Sequence, residues 1–95
     1  MNFKKEKLLT IITEVGLESL IIKDIKKAGA TGYTVTEVRG KGEHGLRKDL
    51  WEHSSNIKLE VICSVDICSK IIDYLKSNYL KNYAMMLFVQ NIDVV

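Results

Sequence analysis

Proline is missing from this chain of 95 residues, and cysteine and histidine occur only twice each. Low-complexity tracts and internal repeats are also missing, so nothing in the sequence indicates a linker or a second domain. We therefore expect a single domain over residues 1–95. A chain of this length buries only about 60–70% of its surface on folding, which favours oligomerisation as a way to gain core.

The few cysteines and histidines do not form a site that the sequence can identify. Cys63 and Cys68 lie five residues apart, unlike the close ligand pairs of zinc sites, and we interpret them as reduced thiols in or near the core. His44 and His53 stand in one glycine-rich segment without a carboxylate pair or nucleophile at a suitable spacing. We predict neither a metal site nor an enzyme activity.

A strong charge of one sign and long apolar runs are missing as well. The formal net charge of +2 does not by itself predict nucleic-acid binding. The first seven residues are followed by only a short apolar run broken by threonines, unlike a secretory signal peptide, and no run is long enough to span a bilayer. Hydrophobic residues make up 46% of the chain, which is ordinary for a folded protein. We expect a cytoplasmic protein.

The first part of the chain changes from a strand pattern to a helix pattern. Lys7–Thr13 is β-branched and almost continuously apolar, which predicts a strand buried on both faces. A helix is predicted from Leu17 to Gly29, whose missing Cβ suits a left-handed cap, and Gly32 marks the next turn. The apolar positions of this helix share one face: Leu17, Leu20, Ile21, Ile25 and Ala28.

The rest of the chain predicts three more strands and a second helix. Tyr33–Arg39 is rich in β-formers, Asn56–Cys63 alternates between apolar and polar residues, and Tyr83–Val89 is apolar on both faces. The second helix is capped by Ser64 or Asp66. Its apolar face runs through Ile67, Ile71, Leu75 and Tyr79.

The order βαββαβ predicts an α+β fold, the ferredoxin-like plait. In this fold a four-stranded antiparallel sheet carries both helices on one face. The first and last strands nevertheless have apolar residues on both faces. We expect a matching sheet from another subunit to cover the second face, and strands without such a partner are the alternative.

The pattern lapses between Gly40 and Ser55, which we interpret as a long exposed loop. Its glycines let backbone N–H groups approach an anion, and basic side chains can supply the matching charge. These basic residues are Arg39, Lys41, Arg47 and Lys48. Gly40, Gly42 and Gly45 have the G-x-G-x-x-G spacing without its strand–helix context, and a P-loop is absent. The loop favours phosphate binding, and a solvated loop with ordinary surface charge is the alternative.

Two further features of the sequence allow more than one reading. Trp51 stands in the polar loop, where an indole either packs back on the domain or anchors a partner surface. Met85 and Met86 on the last strand are interpreted as core or interface side chains rather than ligands.

Five segments taken together resemble the PII signal-transduction superfamily, and are most similar to the PII-like proteins that accompany sodium-dependent bicarbonate transporters. The Gly-Tyr-Thr-Val strand that leads to Gly-Lys-Gly is the most specific of them. The segments follow the family's order over nearly the whole chain: 7–14, 29–35, 40–42, 56–61 and 79–84.

This resemblance implies a trimer whose three sheets turn inward and whose clefts between subunits bind adenine nucleotides. Thr34, Val35 and Thr36 would line the cleft near the base and ribose, and Lys41, Gly42 and Arg47 would meet the phosphates. Position 44, commonly a second phosphate-binding arginine in relatives, is His44 here. The neighbouring subunit would pack three residues on the adenine: Ala84, Met85 and Met86.

The loop at 40–55 corresponds to the family's T-loop, which changes order with the bound nucleotide and meets a partner. Its partner-binding residues would include Glu43, Lys48 and Trp51. The resemblance thus implies regulation of a bicarbonate or other membrane transporter, so that the protein would lie at the membrane through this partner.

The chain departs from the family in ways that bear on its ligand. His44, in place of an arginine, weakens the binding of phosphate. Met85 stands where relatives often have glycine, which narrows the space for the adenine. The residues before Val95 do not form a basic tail that could reach a triphosphate. We therefore expect AMP, cyclic AMP or ADP as the ligand rather than ATP with Mg²⁺. A trimeric metal-tolerance protein and an RNA-binding module share the plait and are the alternatives, although Ile57–Cys63 lacks the aromatic residues that stack bases.

Overall fold

The computed structural model describes residues 2–40 and 55–95. A single 3-10 turn at Val15–Leu17 precedes the first helix. The strands and helices are β1 (Lys4–Glu14), α1 (Glu18–Lys27), β2 (Thr34–Val38), β3 (Asn56–Cys63), α2 (Val65–Asn78) and β4 (Met85–Val94). The strands form one antiparallel sheet in the order β2-β3-β1-β4, which confirms the predicted α+β ferredoxin-like plait.

The register of the sheet places alternate residues on two faces. Leu9 pairs with Val61 and Ile11 with Leu59, and all four side chains are fully buried beneath the helices. Because antiparallel partners that lie opposite each other share a face, these pairs define the inner, helix-covered face. The alternation that predicted β3 is confirmed, since Ile57, Leu59, Val61 and Cys63 are all buried.

The helices bury one stripe each against this inner face. In α2 the predicted stripe is confirmed, because Ile71 and Leu75 are buried and Ile67 and Tyr79 pack at its margin. In α1 the predicted stripe is wrong at Leu20, which is 51% exposed. At 100° per residue Leu20 lies well off the line through the buried residues, so it points away from the sheet.

Both predicted helix ends are confirmed by their hydrogen bonds. Gly29 has a φ of +109°, and the N–H groups of Gly29 and Ala30 donate to the carbonyls of Lys26 and Ile25 at 3.1 and 3.0 Å. These two bonds form a Schellman motif, which requires a left-handed residue after the helix. Ser64 rather than Asp66 caps α2, with Oγ accepting from the Ile67 N–H at 3.2 Å.

Two strands are longer than their apolar cores indicated. The sequence predicts the first strand over Lys7–Thr13 and the last over Tyr83–Val89. The first strand runs from Lys4 to Glu14, and the last begins two residues later than predicted, at Met85, and continues to Val94. The extra residues pair with each other, and the Lys5 Nζ–Asp93 Oδ1 ion pair of 2.6 Å lies across them. Pairing between these ends satisfies their backbone groups, so both strands continue beyond the continuous apolar runs that predicted them.

The outer face of the sheet carries a second set of apolar side chains. Leu8 pairs with Ile62 and Ile12 pairs with Met86, each pair lying opposite the helices. Ile62 is 50% exposed and Phe88, which follows on the same face, is 42% exposed. The prediction that the first and last strands are apolar on both faces is therefore confirmed.

Candidate functional site

One half of the predicted site lies along β2, at one edge of the sheet. Thr34 and Thr36 are exposed there, and Thr34 lines an open groove of about 550 Å³ on the outer face. The side chain of Val35 points the other way and packs on the hydrophobic core, so only its backbone is available to a ligand in this groove.

The other half lies where β4 begins. Ala84 is fully buried, and its carbonyl accepts a hydrogen bond of 2.8 Å from Oγ1 of Thr13. Met85 is a core side chain at 2% exposure, which agrees with its interpretation as core filler. Met86 points to the outer face and is half-buried. This strand edge is bordered by a second open groove, of about 580 Å³.

The two halves occupy opposite edges of the same sheet. β2 and β4 are separated by β3 and β1, which places them three strand spacings apart, or roughly 14 Å. A single copy therefore cannot close Thr34 and Met86 around one base. Two copies can do so if the β2 edge of one faces the β4 edge of the next.

The base of the predicted loop is a third feature of the same sheet edge. Val38 pairs with Asn56, so the chain leaves β2 and re-enters β3 at adjacent points. A pocket of about 350 Å³ lies there between Glu37, Arg39 and Ser55. The remaining predicted residues of the loop lie outside the described part of the chain: Lys41, Gly42, Glu43, His44, Arg47, Lys48 and Trp51.

The grooves include charged residues that the sequence did not single out. Glu60 borders the groove beside Thr34, because it points to the outer face of β3. Lys76, in the last turn of α2, borders the groove beside Met86. The alternation of β3 already indicates that Glu60 points away from the core. A charged residue on a sheet face that is expected to contact another subunit is the signal that could have identified Glu60 as part of the site.

The two cysteines are free and buried, as predicted. Burial, and then the neighbouring Cys68 thiol, raises the pKa of Cys63 to about 11. Burial also raises the pKa of Cys68. Since the thiolate is the reactive form, these thiols are inert packing groups at neutral pH.

Two further observations concern metals and membranes. Within residues 2–40 and 55–95, no three His, Cys, Asp or Glu side chains are grouped so that they could hold a metal ion. Neither of the two helices described has the length and apolar character needed to cross a bilayer.

The comparison with known families agrees with this fold. The model of the family described as nitrogen regulatory protein P-II matches residues 6–95. A protein from Thermus thermophilus described as PII-like in signalling is 39% identical, and its structure superposes with a TM-score of 0.84. The match covers 100% of this chain and 94% of that protein. This chain therefore belongs to the P-II family, whose PII-like members are signalling regulators and not enzymes.

More distant structures share the fold. CPII from Thiomonas intermedia, bound to ADP, AMP and acetate, is 21% identical with a TM-score of 0.86, over 100% of this chain and 93% of CPII. CPII bound to ADP, AMP and bicarbonate is 21% identical with a TM-score of 0.83, over 99% and 97% of the two chains.

Proposed function

We propose that this chain is a cytoplasmic homotrimer that binds an adenine nucleotide between its subunits and regulates a membrane transporter through residues 40–55. AMP, cyclic AMP or ADP is the expected ligand. The whole chain forms one PII-like domain, of the branch that accompanies sodium-dependent bicarbonate transporters. The target is a bicarbonate transporter or another membrane transporter.

The observation that carries this proposal is the separation of the two half-sites. Thr34 and Thr36 at one edge and Met86 at the other can meet around one ligand only between copies. The apolar outer face supplies a reason for the copies to associate, since Ile62 and Phe88 remain about half exposed in one copy. PII proteins are trimeric, which agrees with sheets that meet through this face.

The choice of ligand rests on the relatives and on the charges of this chain. CPII, which is 21% identical to this chain, was solved with ADP and AMP bound, so these nucleotides are the first to test. The positive groups proposed to meet the phosphates are Lys41, His44 and Arg47 together with the backbone of Gly42. They are few for a triphosphate, and a histidine replaces one arginine, which favours a ligand with fewer phosphates.

Regulation would follow from a shift in the population of states of the segment 40–55. A nucleotide that contacts the segment in one arrangement and not in another favours the first by its difference in affinity. The favoured arrangement would then either expose or remove the side chains that contact the transporter, which are Glu43, Lys48 and Trp51. The pairing of Val38 with Asn56 holds both ends of this segment beside the β2 half-site.

Calorimetry with AMP, cyclic AMP, ADP and ATP, each with and without Mg²⁺, tests the ligand. We expect Arg47→Ala to weaken binding at least about tenfold, or ~1.4 kcal/mol, because a bidentate phosphate contact is lost. Lys23→Ala, on the exposed side of α1, removes a cation far from the loop in sequence and is the control. An unchanged affinity of Arg47→Ala contradicts the phosphate site.

Retention of the protein on vesicles that contain a sodium-dependent bicarbonate transporter tests the target. We expect the nucleotide to change the retained fraction and Trp51→Ala to reduce it, because the indole is the proposed anchor. Vesicles without the transporter are the control. Equal retention on both kinds of vesicle contradicts transporter regulation.

The two alternative functions are less well supported. A metal-tolerance protein needs ligands, and the described residues contain no group of three that could hold a metal. An RNA-binding module needs aromatic side chains on the exposed face of its central strands, whereas the outer face of β3 presents Lys58, Glu60 and Ile62. A gel shift at physiological salt checks the second alternative.

A further inference from the structure

The turn between α2 and β4 is tied to α1 by one side-chain hydrogen bond. The Tyr79 hydroxyl donates to Oδ2 of Asp24 at 2.5 Å. Burial, and then this hydrogen bond, raises the pKa of the Tyr79 phenol well above its ordinary value. The phenol therefore stays protonated at neutral pH and can donate this hydrogen bond.

Tyr79 in turn organises the residues that follow it. The backbone N–H groups of Asn82 and Tyr83 both donate to the Tyr79 carbonyl at 3.0 Å. The rings of Tyr79 and Tyr83 pack with their centroids 5.9 Å apart and their planes tilted by 55°. Side chain and main chain of Tyr79 thus act on the same short turn.

The turn ends at the β4 half of the candidate site. Ala84 follows Tyr83 directly, and its carbonyl accepts the 2.8 Å hydrogen bond from the buried Thr13 hydroxyl. Contacts therefore run without a gap from Asp24 on α1, through the two tyrosines, to Ala84. The far end of this chain of contacts is the segment proposed to pack on the base.

We propose that Asp24 and Tyr79 are positioning residues that set the affinity for the nucleotide without touching it. They hold residues 84–86 in the arrangement that completes the cleft of the neighbouring copy. The inference rests on the proposed function, because it needs a nucleotide bound between the β2 edge of one copy and the β4 edge of the next.

The physical basis is the population of the competent arrangement. A ligand that binds one arrangement of a segment loses apparent affinity in proportion to the fraction of molecules that leave it. A hydrogen bond to a carboxylate is among the stronger polar contacts in a protein, so its loss shifts such an equilibrium measurably. Ala84 itself stays anchored by Thr13, which limits the effect to a partial displacement.

Tyr79→Phe removes the hydroxyl and keeps the ring, so it isolates the hydrogen bond. We expect it to weaken ADP binding about fivefold by calorimetry, and Asp24→Ala to weaken it to a similar extent. The double variant should bind ADP no worse than either single variant, because both remove the same contact. Asp24→Asn keeps an acceptor oxygen and should bind ADP more tightly than Asp24→Ala.

Two control variants separate positioning from general loss of stability. Tyr74→Phe makes the same chemical change on the exposed side of α2, where the side chain is about half exposed. Ser64→Ala lowers stability through the cap of α2, far from the turn. Both should bind ADP like the parent. Equal weakening in Ser64→Ala and Tyr79→Phe overturns the inference, because affinity would then follow stability alone.

Mixed trimers test whether Tyr79 acts on the neighbouring copy. Tyr79→Phe and Arg47→Ala chains carry defects in opposite halves of a cleft. In trimers assembled from an equal mixture, about a quarter of the clefts combine two intact halves. We expect that fraction of sites to regain parental ADP affinity. If no site recovers, both residues serve the cleft of their own copy, and the inference is overturned.

The outcomes also separate the inference from the proposed function. A parent protein that binds no adenine nucleotide overturns the proposed function and the inference with it. A parent that binds ADP while Tyr79→Phe binds it equally well overturns the inference alone.

Discussion

The outer face of the sheet offers the most direct test of assembly, through Phe88. This side chain is 42% exposed in one copy. For a phenylalanine with roughly 200 Å² of surface this is about 85 Å² of apolar area still facing water. At about 25 cal/mol per Å², covering it contributes about 2 kcal/mol per copy and about 6 kcal/mol per trimer.

Phe88→Glu removes this contribution and places a carboxylate in the contact. Burying an unpaired charge costs more than losing the apolar area, so about 6 kcal/mol per trimer is the lower bound. The concentration of half-assembly should then rise at least on the order of 100-fold. Light scattering after gel filtration and sedimentation equilibrium over the micromolar range measure this change.

Leu20→Glu is the matched control for Phe88→Glu. Leu20 is an apolar side chain of similar exposure, 51%, but it lies on α1, away from the sheet. It should leave the oligomeric state unchanged, and circular dichroism should show both variants folded. A trimer that survives Phe88→Glu at the parental concentration, a monomeric parent, or equal dissociation by both variants would refute assembly through this face.

Other predictions concern stability and pH. Gly29→Ala should lower the free energy of unfolding by about 1–2 kcal/mol in urea titrations, because φ is +109° and the new Cβ would lie 3.3 Å from Ile67 Cδ1. Gly16→Ala, which meets nothing within 4 Å, should have a much smaller effect. Ser64→Ala should cost about 1 kcal/mol in the same assay. Burial raises the pKa of Cys63 from 9.0 to about 11, so its contribution to stability is complete below pH 9.0 and is lost as pH rises towards 11. Cys63→Ser should reduce this alkaline loss, and an identical pH profile would contradict the assignment.

Local chemistry explains why much of the fold could be predicted. The Asn56–Cys63 strand was predicted with its observed bounds, because a sheet buried on one face imposes a strict alternation on the sequence. Gly29 and Ser64 marked helix ends for reasons confined to a few backbone groups. The exposure of Leu20 was not predicted, because the apolar character of a residue does not show which edge of a helical stripe contacts the sheet.

The candidate site could be predicted only in part. The residues of β2 and β4 were assigned to a nucleotide site because the sequence resembles the PII superfamily. Their role in binding a nucleotide stays a prediction. No local pattern indicated that Lys76 lies beside Met86, and the alternation of β3 indicated only that Glu60 points away from the core, not that it lies beside Thr34. These neighbours come from different elements, and only the sheet order and the packing of α2 bring them together.

By itself, the sequence determined the types and order of the elements, their caps and the presence of apolar residues on both faces of the first and last strands. These properties depend on neighbours within a few residues. The tertiary structure alone decided that the half-sites lie at opposite sheet edges, that β1 and β4 pair beyond their continuous apolar runs, and that Asp24 contacts Tyr79. Each of these depends on the meeting of segments distant in the chain, which no local pattern specifies.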